Sequence, residues 1–236
     1  MNRFFALVPC AGVGRRAGGD LPKQYAPLLR RPMAAYTLDA LCGVERLQAV
    51  LVVLAPQDRH FEALLPGFAA ERRWLAACGG DSRAASVANG LLELQRRGAA
   101  DDDWVLVHDA ARCLLRSEWV ERLIDACAGD AVGGLLALPL ADTLKSARDG
   151  RSAMTLDRAG KWLAQTPQMF RLGLLRAALA AAGAGATDEA SAVEALGHAP
   201  LLVRGEMENF KLTWPADFDV AARLLRTRGA SKGTAT

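Results

Sequence analysis

Phe5-Ala6-Leu7-Val8 runs straight into Pro9-Cys10-Ala11-Gly12-Val13-Gly14-Arg15-Arg16, and the reading of that junction decides the fold. Four apolar residues with no polar alternation describe a strand covered on both faces, and the glycines mark the loop where it ends. Similar runs recur at Ala49 to Leu54, Trp74 to Cys78, Trp104 to Val107, Ala131 to Leu138 and Leu201 to Val203. Between most of them lie stretches with helical spacing. Met33, Tyr36, Thr37, Ala40 and Leu41 share one helical face, Val87, Leu91 and Leu94 a second, and Val120, Leu123, Ile124 and Cys127 a third. Strand and helix in regular alternation predict an α/β protein with a doubly wound, mostly parallel sheet.

One region departs from the alternation. From Asp142 to Gln165, short strand-like runs are separated by the turn signals Asp149-Gly150 and Ala159-Gly160, which read as hairpin excursions. A protruding β-arm over 140–165, inserted in a single domain of residues 1–236, is the expected organisation. Such an arm has little core of its own, so it covers a site or packs on another subunit. Ala177 to Ala186 is alanine-rich, no internal repeat is evident, and the tail from 229 to 236 is expected to fray.

Composition narrows the function by exclusion. Among 236 residues, 29 basic and 26 acidic side chains leave a formal charge of +3, too little for a nucleic-acid coat or a polybasic membrane anchor. At 51% apolar and 23% charged, the chain is an ordinary globular one, able to bury roughly 70% or more of its unfolded surface. No uncharged run exceeds eleven residues, as at Phe4 to Gly14 and Ala131 to Ala141, whereas a membrane span needs about 20. The N-terminal run reads as a buried strand entering a loop rather than a cleavable signal. Five cysteines, odd in number and without a CxxC pair, indicate neither a disulfide framework nor a zinc site. Reduced thiols in a cytoplasmic protein are the expectation.

Three loops carry possible chemistry. In the first, the glycine turn lets backbone N–H groups approach a phosphate, and Arg15, Arg16 and Lys23 add fixed positive charge. An ordinary strand-to-helix turn is the plainer alternative. Gly12-x-Gly14-x-x-Ala17 also satisfies a loose dinucleotide fingerprint, but the second strand ends in Ala55-Pro56 instead of an acidic residue, and no Walker Gly-Lys-Ser/Thr follows. The second loop is Val107-His108-Asp109-Ala110-Ala111-Arg112, where another strand stops. A carboxylate at the carboxyl end of a parallel sheet faces the ligand crevice, so Asp109 either holds Mg²⁺ beside a polyphosphate or caps the next turn. His108 reads as a packed, hydrogen-bonded residue, and Asp101, Asp102 and Asp103 as a solvated turn. The third loop is Gly79-Gly80-Asp81-Ser82-Arg83, with Ser82 placed to cap a helix and the double glycine exposing backbone groups to a base or sugar. Thr187-Asp188-Glu189 reads as a helix start, with Thr187 able to cap and two acids set against the dipole.

The fragments PCAGVGRR, LPKQY, GGDSRAASV, VHDAAR, LADTLK, TLDR, TPQMF, TDEASAVE and NFKLT occur in this order. Together they resemble the 2-C-methyl-D-erythritol 4-phosphate cytidylyltransferase family of the nonmevalonate isoprenoid pathway, from Ala6 to about Ala222. The resemblance implies a Rossmann-like nucleotidyltransferase sheet, homodimerisation through the β-arm, CTP and a polyol phosphate as substrates, and a divalent metal, usually Mg²⁺. It makes Arg16 and Lys23 the transition-state stabilisers, Asp109 the metal-binding residue, and Arg158 and Lys211 the pair that positions the acceptor phosphate. Thr143 and Thr166 add hydroxyl contacts to the acceptor. Around the nucleotide it places Ala11, Gly12, Gly14, Arg15, Gly80, Asp81, Ser86 and Ala110, with Arg83 as support. Cys113 departs from the family's usual Pro, and Ala17 from its common Met.

Transfer of CMP needs no covalent protein nucleophile, only two anions held in line while charge builds on phosphorus and on departing pyrophosphate. The absence of a Ser-His-Asp or Cys-His pattern agrees with this. A cytidylyltransferase for another polyol phosphate, such as ribitol 5-phosphate, is the nearest rival. An NAD-dependent oxidoreductase and a non-catalytic nucleotide-binding module are more distant ones.

Overall fold

Alternate residues of the first strand feed opposite faces of one sheet. In the computed structural model, which describes residues 2–12 and 21–232 apart from the side chains of 184 and 229–232, β1 (Phe4–Pro9) sends Ala6 and Val8 into one apolar cluster and Phe5 and Leu7 into another. The same division holds in β4 (Leu47–Val53) and β6 (Trp104–Val107). Helices α1 (Met33–Cys42) and α4 (Ser117–Cys127) close the first face, with Leu38, Leu41, Val120, Leu123 and Ile124 buried. Helices α3 (Arg83–Arg96) and α5 (Leu172–Ala182) close the second through Val87, Leu91, Leu94 and Leu175. Burial on both sides is why these strands are continuously apolar, and each fully buried aliphatic side chain contributes about 1.5–3 kcal/mol. Packing on α3 is close: a Cβ on Gly90 would lie 2.7 Å from both Leu7 and Val53.

The remaining elements are β2 (Pro27–Leu28), β3 (Arg31–Pro32), the short α2 (Phe61–Leu64), β5 (Arg73–Ala76), β7 (Gly133–Pro139), β8 (Leu144–Arg148), β9 (Arg151–Leu156), β10 (Trp162–Arg171), α6 (Glu189–Ala195), β11 (Leu201–Arg204) and α7 (Pro215–Lys232). The central seven-stranded sheet has the order β11-β7-β10-β6-β1-β4-β5. Only β10 runs antiparallel to its neighbours, so the mostly parallel sheet is confirmed. The hairpin region expected over Asp142 to Gln165 ends sooner, because its last residues, Trp162 to Gln165, open a strand of the central sheet that runs on to Arg171. The ladder of that strand to β7 is interrupted between Ala164 and Gln168.

Topology locates the crevice. From β1 the chain builds β4 and β5 on one side, then returns through α3 to β6 on the other side of β1. Connections diverging in opposite directions leave a gap at the carboxyl ends of β1 and β6, where ligands of open α/β sheets bind.

Strands β8 and β9 pair only with each other, turning through Asp149 at φ 51° and Gly150 at φ 74°, a left-handed pair suited to a tight hairpin. Their residues are mostly exposed. Asp103 is not solvated as expected: 4% exposed, it accepts from the Arg3 backbone and guanidinium at 2.6–3.1 Å. The last helix continues through Lys232, and residues 233–236 lie outside the described ones. No helix among the described residues is long and apolar enough to cross a membrane.

Candidate functional site

A cleft of about 440 Å³ opens where the topology places it, lined by the loops after β1, β5 and β6 together with Lys23 and Lys211. Backbone bonds set its walls. The Cys10 N–H donates to the Val53 carbonyl at 2.8 Å, and the Gly79 N–H to the Leu54 carbonyl at 2.8 Å. Gln24, 7% exposed, donates its amide to the Cys10 carbonyl at 2.8 Å. The two glycine-bearing loops meet so closely that a Cβ on Gly79 would fall 2.2 Å from the Ala11 Cβ. Ser82 caps α3 by accepting from the Ala85 N–H at 3.0 Å. Ser86 accepts from the Gly80 N–H at 3.1 Å and donates to the Ser82 carbonyl at 2.9 Å, which stiffens the Gly80-Asp81 wall.

Asp109 sits at the centre. It is 8% exposed, with one oxygen taking Arg83 Nε at 2.7 Å and the other Lys211 Nζ at 2.8 Å. Burial acts to raise its carboxyl, but the Arg83 guanidinium and the Lys211 ammonium outweigh burial and hold it well below the usual carboxylate range. Arg83 turns its remaining nitrogens to Glu189, bidentate at 2.7 and 2.9 Å.

Beneath Asp109, His108 is fully buried. Its Nε2 lies 3.2 Å from the Arg112 carbonyl and its Nδ1 3.0 Å from the Thr166 hydroxyl, which itself accepts the Asp109 N–H at 3.1 Å. The carbonyl can only accept, so Nε2 carries the proton and Nδ1 accepts from Thr166. Burial pushes the imidazole down to about 4, consistent with a neutral, structural histidine.

The segment before α7 completes the cleft. Leu212 N–H donates to the Ala111 carbonyl at 2.9 Å, and buried Asn209 donates to the Thr166 carbonyl at 2.8 Å. Arg112 reaches the Asn209 carbonyl at 2.7 Å, and Lys23 donates to the Leu212 carbonyl. Cys113 fills an apolar cluster beneath α7. Glu208 faces away, onto Arg116 at 3.0 Å and Arg228 at 2.6 Å.

Ala11, Gly12, Lys23, Gly80, Asp81, Arg83, Ser86, Asp109, Ala110 and Lys211 therefore line one cleft. Thr166 stands behind it, 4% exposed. Gly14, Arg15 and Arg16 lie outside the described residues. Thr143 and Arg158 are exposed beside the β8–β9 hairpin, Arg158 donating to the Ala141 carbonyl, and neither lines the cleft. Gln24 and Glu189 were missed as contributors to the site. Gln24 sits next to a lysine that was singled out, whereas Glu189 was read only as a helix acid. The cap of α6 is Asp188, which forms a capping box with Ser191, not Thr187.

Among the described residues no group of three or more His, Cys, Asp or Glu is placed to hold a metal ion. One carboxylate in a phosphate-sized cleft nevertheless fits Mg²⁺, which keeps most of its positions for water and phosphate oxygens. Asp109 retains lone pairs beyond the two already engaged, so it is the residue suited to that ion.

Comparison with known proteins is consistent along the chain. Residues 4–227 match the family model described as IspD, 2-C-methyl-D-erythritol 4-phosphate cytidylyltransferase. A protein of that name from Bordetella petrii is 56% identical over 95% of this chain and 99% of its own length. The bifunctional enzyme IspD/IspF of Albidiferax ferrireducens is 57% identical over 97% of this chain, which spans only 54% of that relative. A crystal structure of 4-diphosphocytidyl-2C-methyl-D-erythritol synthase superposes with a TM-score of 0.85 at 42% identity, covering 95% of this chain and 99% of the other.

Proposed function

The chain belongs to the 2-C-methyl-D-erythritol 4-phosphate cytidylyltransferase family, and we propose that it transfers CMP from CTP to 2-C-methyl-D-erythritol 4-phosphate, releasing pyrophosphate. The observation that carries this reading is one cleft in which Lys23 and Lys211 accompany Asp109, to which Lys211 donates at 2.8 Å, walled by the backbone of Ala11-Gly12 and Gly80-Asp81. That set offers fixed cations to phosphates and rigid backbone donors and acceptors to a base.

An oxygen of the acceptor phosphate attacks the α-phosphorus of CTP. The new P–O bond forms as the bond from the α-phosphorus to the bridging oxygen breaks, and pyrophosphate departs with that electron pair. The attacking monoester is already anionic, so no side chain need remove a proton. Lys23 stabilises charge on the triphosphate together with Arg16, and Lys211 aligns the acceptor phosphate. Cytosine is read against Ala11, Gly12, Gly80, Asp81 and Ser86, and the ribose lies near Ala110. Mg²⁺ held by Asp109 would neutralise phosphate charge and favour a reactive triphosphate geometry.

Arg158 and Thr143 belong to the acceptor half of this reading but flank the hairpin and do not line the cleft of their own chain. A homodimer in which each hairpin reaches the partner's cleft accounts for that, and exposed Met154, Trp162 and Leu163 offer apolar surface for such a contact. Charged substrates and five thiols go with a cytoplasmic location. A dinucleotide site fits poorly, because the nearest acid after β4, Asp58, is occupied by the Tyr25 hydroxyl at 2.6 Å and by the backbone N–H groups of His60 and Phe61.

The test is purified protein with CTP, Mg²⁺ and each acceptor in turn. Pyrophosphate release with 2-C-methyl-D-erythritol 4-phosphate is expected. Release with ribitol 5-phosphate alone would overturn the choice of acceptor, and saturable NAD(H) binding without CTP binding would overturn the reaction class.

A further inference from the structure

Arg83 occupies an awkward position for a cation. It is the first residue of α3, at the positive end of the helix dipole, so the helix itself gives it no reason to be there. Two carboxylates supply one. Glu189, from a helix more than a hundred positions later, is fully buried and takes two guanidinium nitrogens at 2.7 and 2.9 Å. The third, Nε, is thereby left pointing at Asp109 Oδ1 at 2.7 Å, while Asp109 Oδ2 holds Lys211 at 2.8 Å. Negative and positive groups alternate along Glu189, Arg83, Asp109 and Lys211, and of the four only Glu189 does not line the cleft.

A bidentate guanidinium–carboxylate pair is planar and directional, so the Glu189 carboxylate sets the plane of Arg83 and with it the direction of Nε. Glu189 is itself anchored. Gln168 of β10, 1% exposed, accepts the Ala190 N–H at 2.7 Å and donates to Asp188 at 2.8 Å. The position of α6 is thus tied to the sheet.

We infer that Glu189 is a positioning residue for the transfer reaction: through Arg83 it fixes the orientation of the Asp109 carboxylate and so the placement of the Lys211 ammonium. This rests on the functional reading above. Glu189 is buried behind the cleft and does not line it, and its effect passes through the guanidinium. Outer partners of this kind typically change affinity or activity by about 10–100-fold.

A double-mutant cycle of Glu189→Gln and Asp109→Asn, with folding checked by circular dichroism, tests this. Steady-state kinetics should show Glu189→Gln lowering kcat by about 10–100-fold, with the KM for CTP little changed. The same change in the Asp109→Asn background should cost less than about 3-fold, because the guanidinium then has no carboxylate to orient. The Arg83 Nε–H resonance in a ¹⁵N spectrum should shift in Glu189→Gln. A purely structural tie between α3 and α6 would give penalties that multiply in the double variant, and that result overturns the proposal. So would turnover within about 3-fold of the parent in folded Glu189→Gln. If Glu189→Gln does not fold, Glu189→Asp, which keeps the charge but shortens the reach, decides by the same cycle. Failure of the parent protein to release pyrophosphate in this assay would overturn the functional reading; a parent that turns over while the penalties multiply overturns only the role of Glu189.

Discussion

The cleft and the β8–β9 hairpin are built on opposite principles. In the cleft, Asp109, Arg83, Glu189, His108 and Thr166 are held by one another and by backbone groups, with little exposure. The hairpin is bonded only to itself and is mostly exposed. A rigid, partnered wall suits recognition of a flat, rigid group such as a nucleotide base. Arg158, just past the hairpin, is exposed and donates to the Ala141 carbonyl. The division predicts that damage to the cleft strikes catalysis and nucleotide binding, and damage to the hairpin strikes the acceptor and assembly.

Replacing Lys23 by Ala should produce the largest effect, a fall in kcat of about 10²–10³-fold with an unchanged circular dichroism spectrum. Intact turnover would remove the cleft from the chemistry. Next comes pH. His108 is buried neutral with its imidazole at about 4, against about 6.5 in an unfolded chain, so the unfolded state binds the extra proton between those values. Stability should therefore fall as pH drops from about 6.5 to 4, by about 3 kcal/mol in all. Urea unfolding across that range checks it, and a flat profile would mean that the histidine is not held as described.

Arg158→Ala should lower kcat/KM for the acceptor by about 10–100-fold while leaving CTP affinity, measured calorimetrically, unchanged. If hairpins are exchanged between subunits, mixing and refolding Arg158→Ala with Lys23→Ala should restore about a quarter of the parent activity, since about half of the dimers then pair unlike subunits and carry one intact site. No recovery would place both residues in one subunit's site. The smallest expected effect comes from one substitution made in both regions. Gly150→Ala, at φ 74° with open space around it, should cost about 1 kcal/mol in thermal unfolding and leave CTP binding alone. Gly79→Ala must displace Ala11, and should weaken CTP binding even where the melting temperature barely moves.

The strands at Phe5 to Val8, Ala49 to Leu54 and Trp104 to Val107 were legible because burial on both faces leaves a local mark, a run without polar residues. Asp109 and the Gly79-Gly80 loop were legible for a related reason, as chemistry-bearing residues directly after such runs. Trp162–Arg171 was not recognised as a strand because Pro167, Gln165 and Gln168 interrupt it, and a proline inside a run normally argues against a ladder; here the ladder to β7 breaks at that point. Asp103 was misread for want of a local sign, since its partner Arg3 lies a hundred residues away.

Sheet type, the order of its loops, and the family membership that nine short motifs announced follow from patterns a few residues long, which survive in one dimension. The joining of Glu189 to Arg83, and the absence of Arg158 from the lining of its own chain's cleft, have no such pattern. Charge pairing across more than a hundred residues depends on where β10 places α6 against α3, and only the packed sheet decides which buried carboxylate meets which cation.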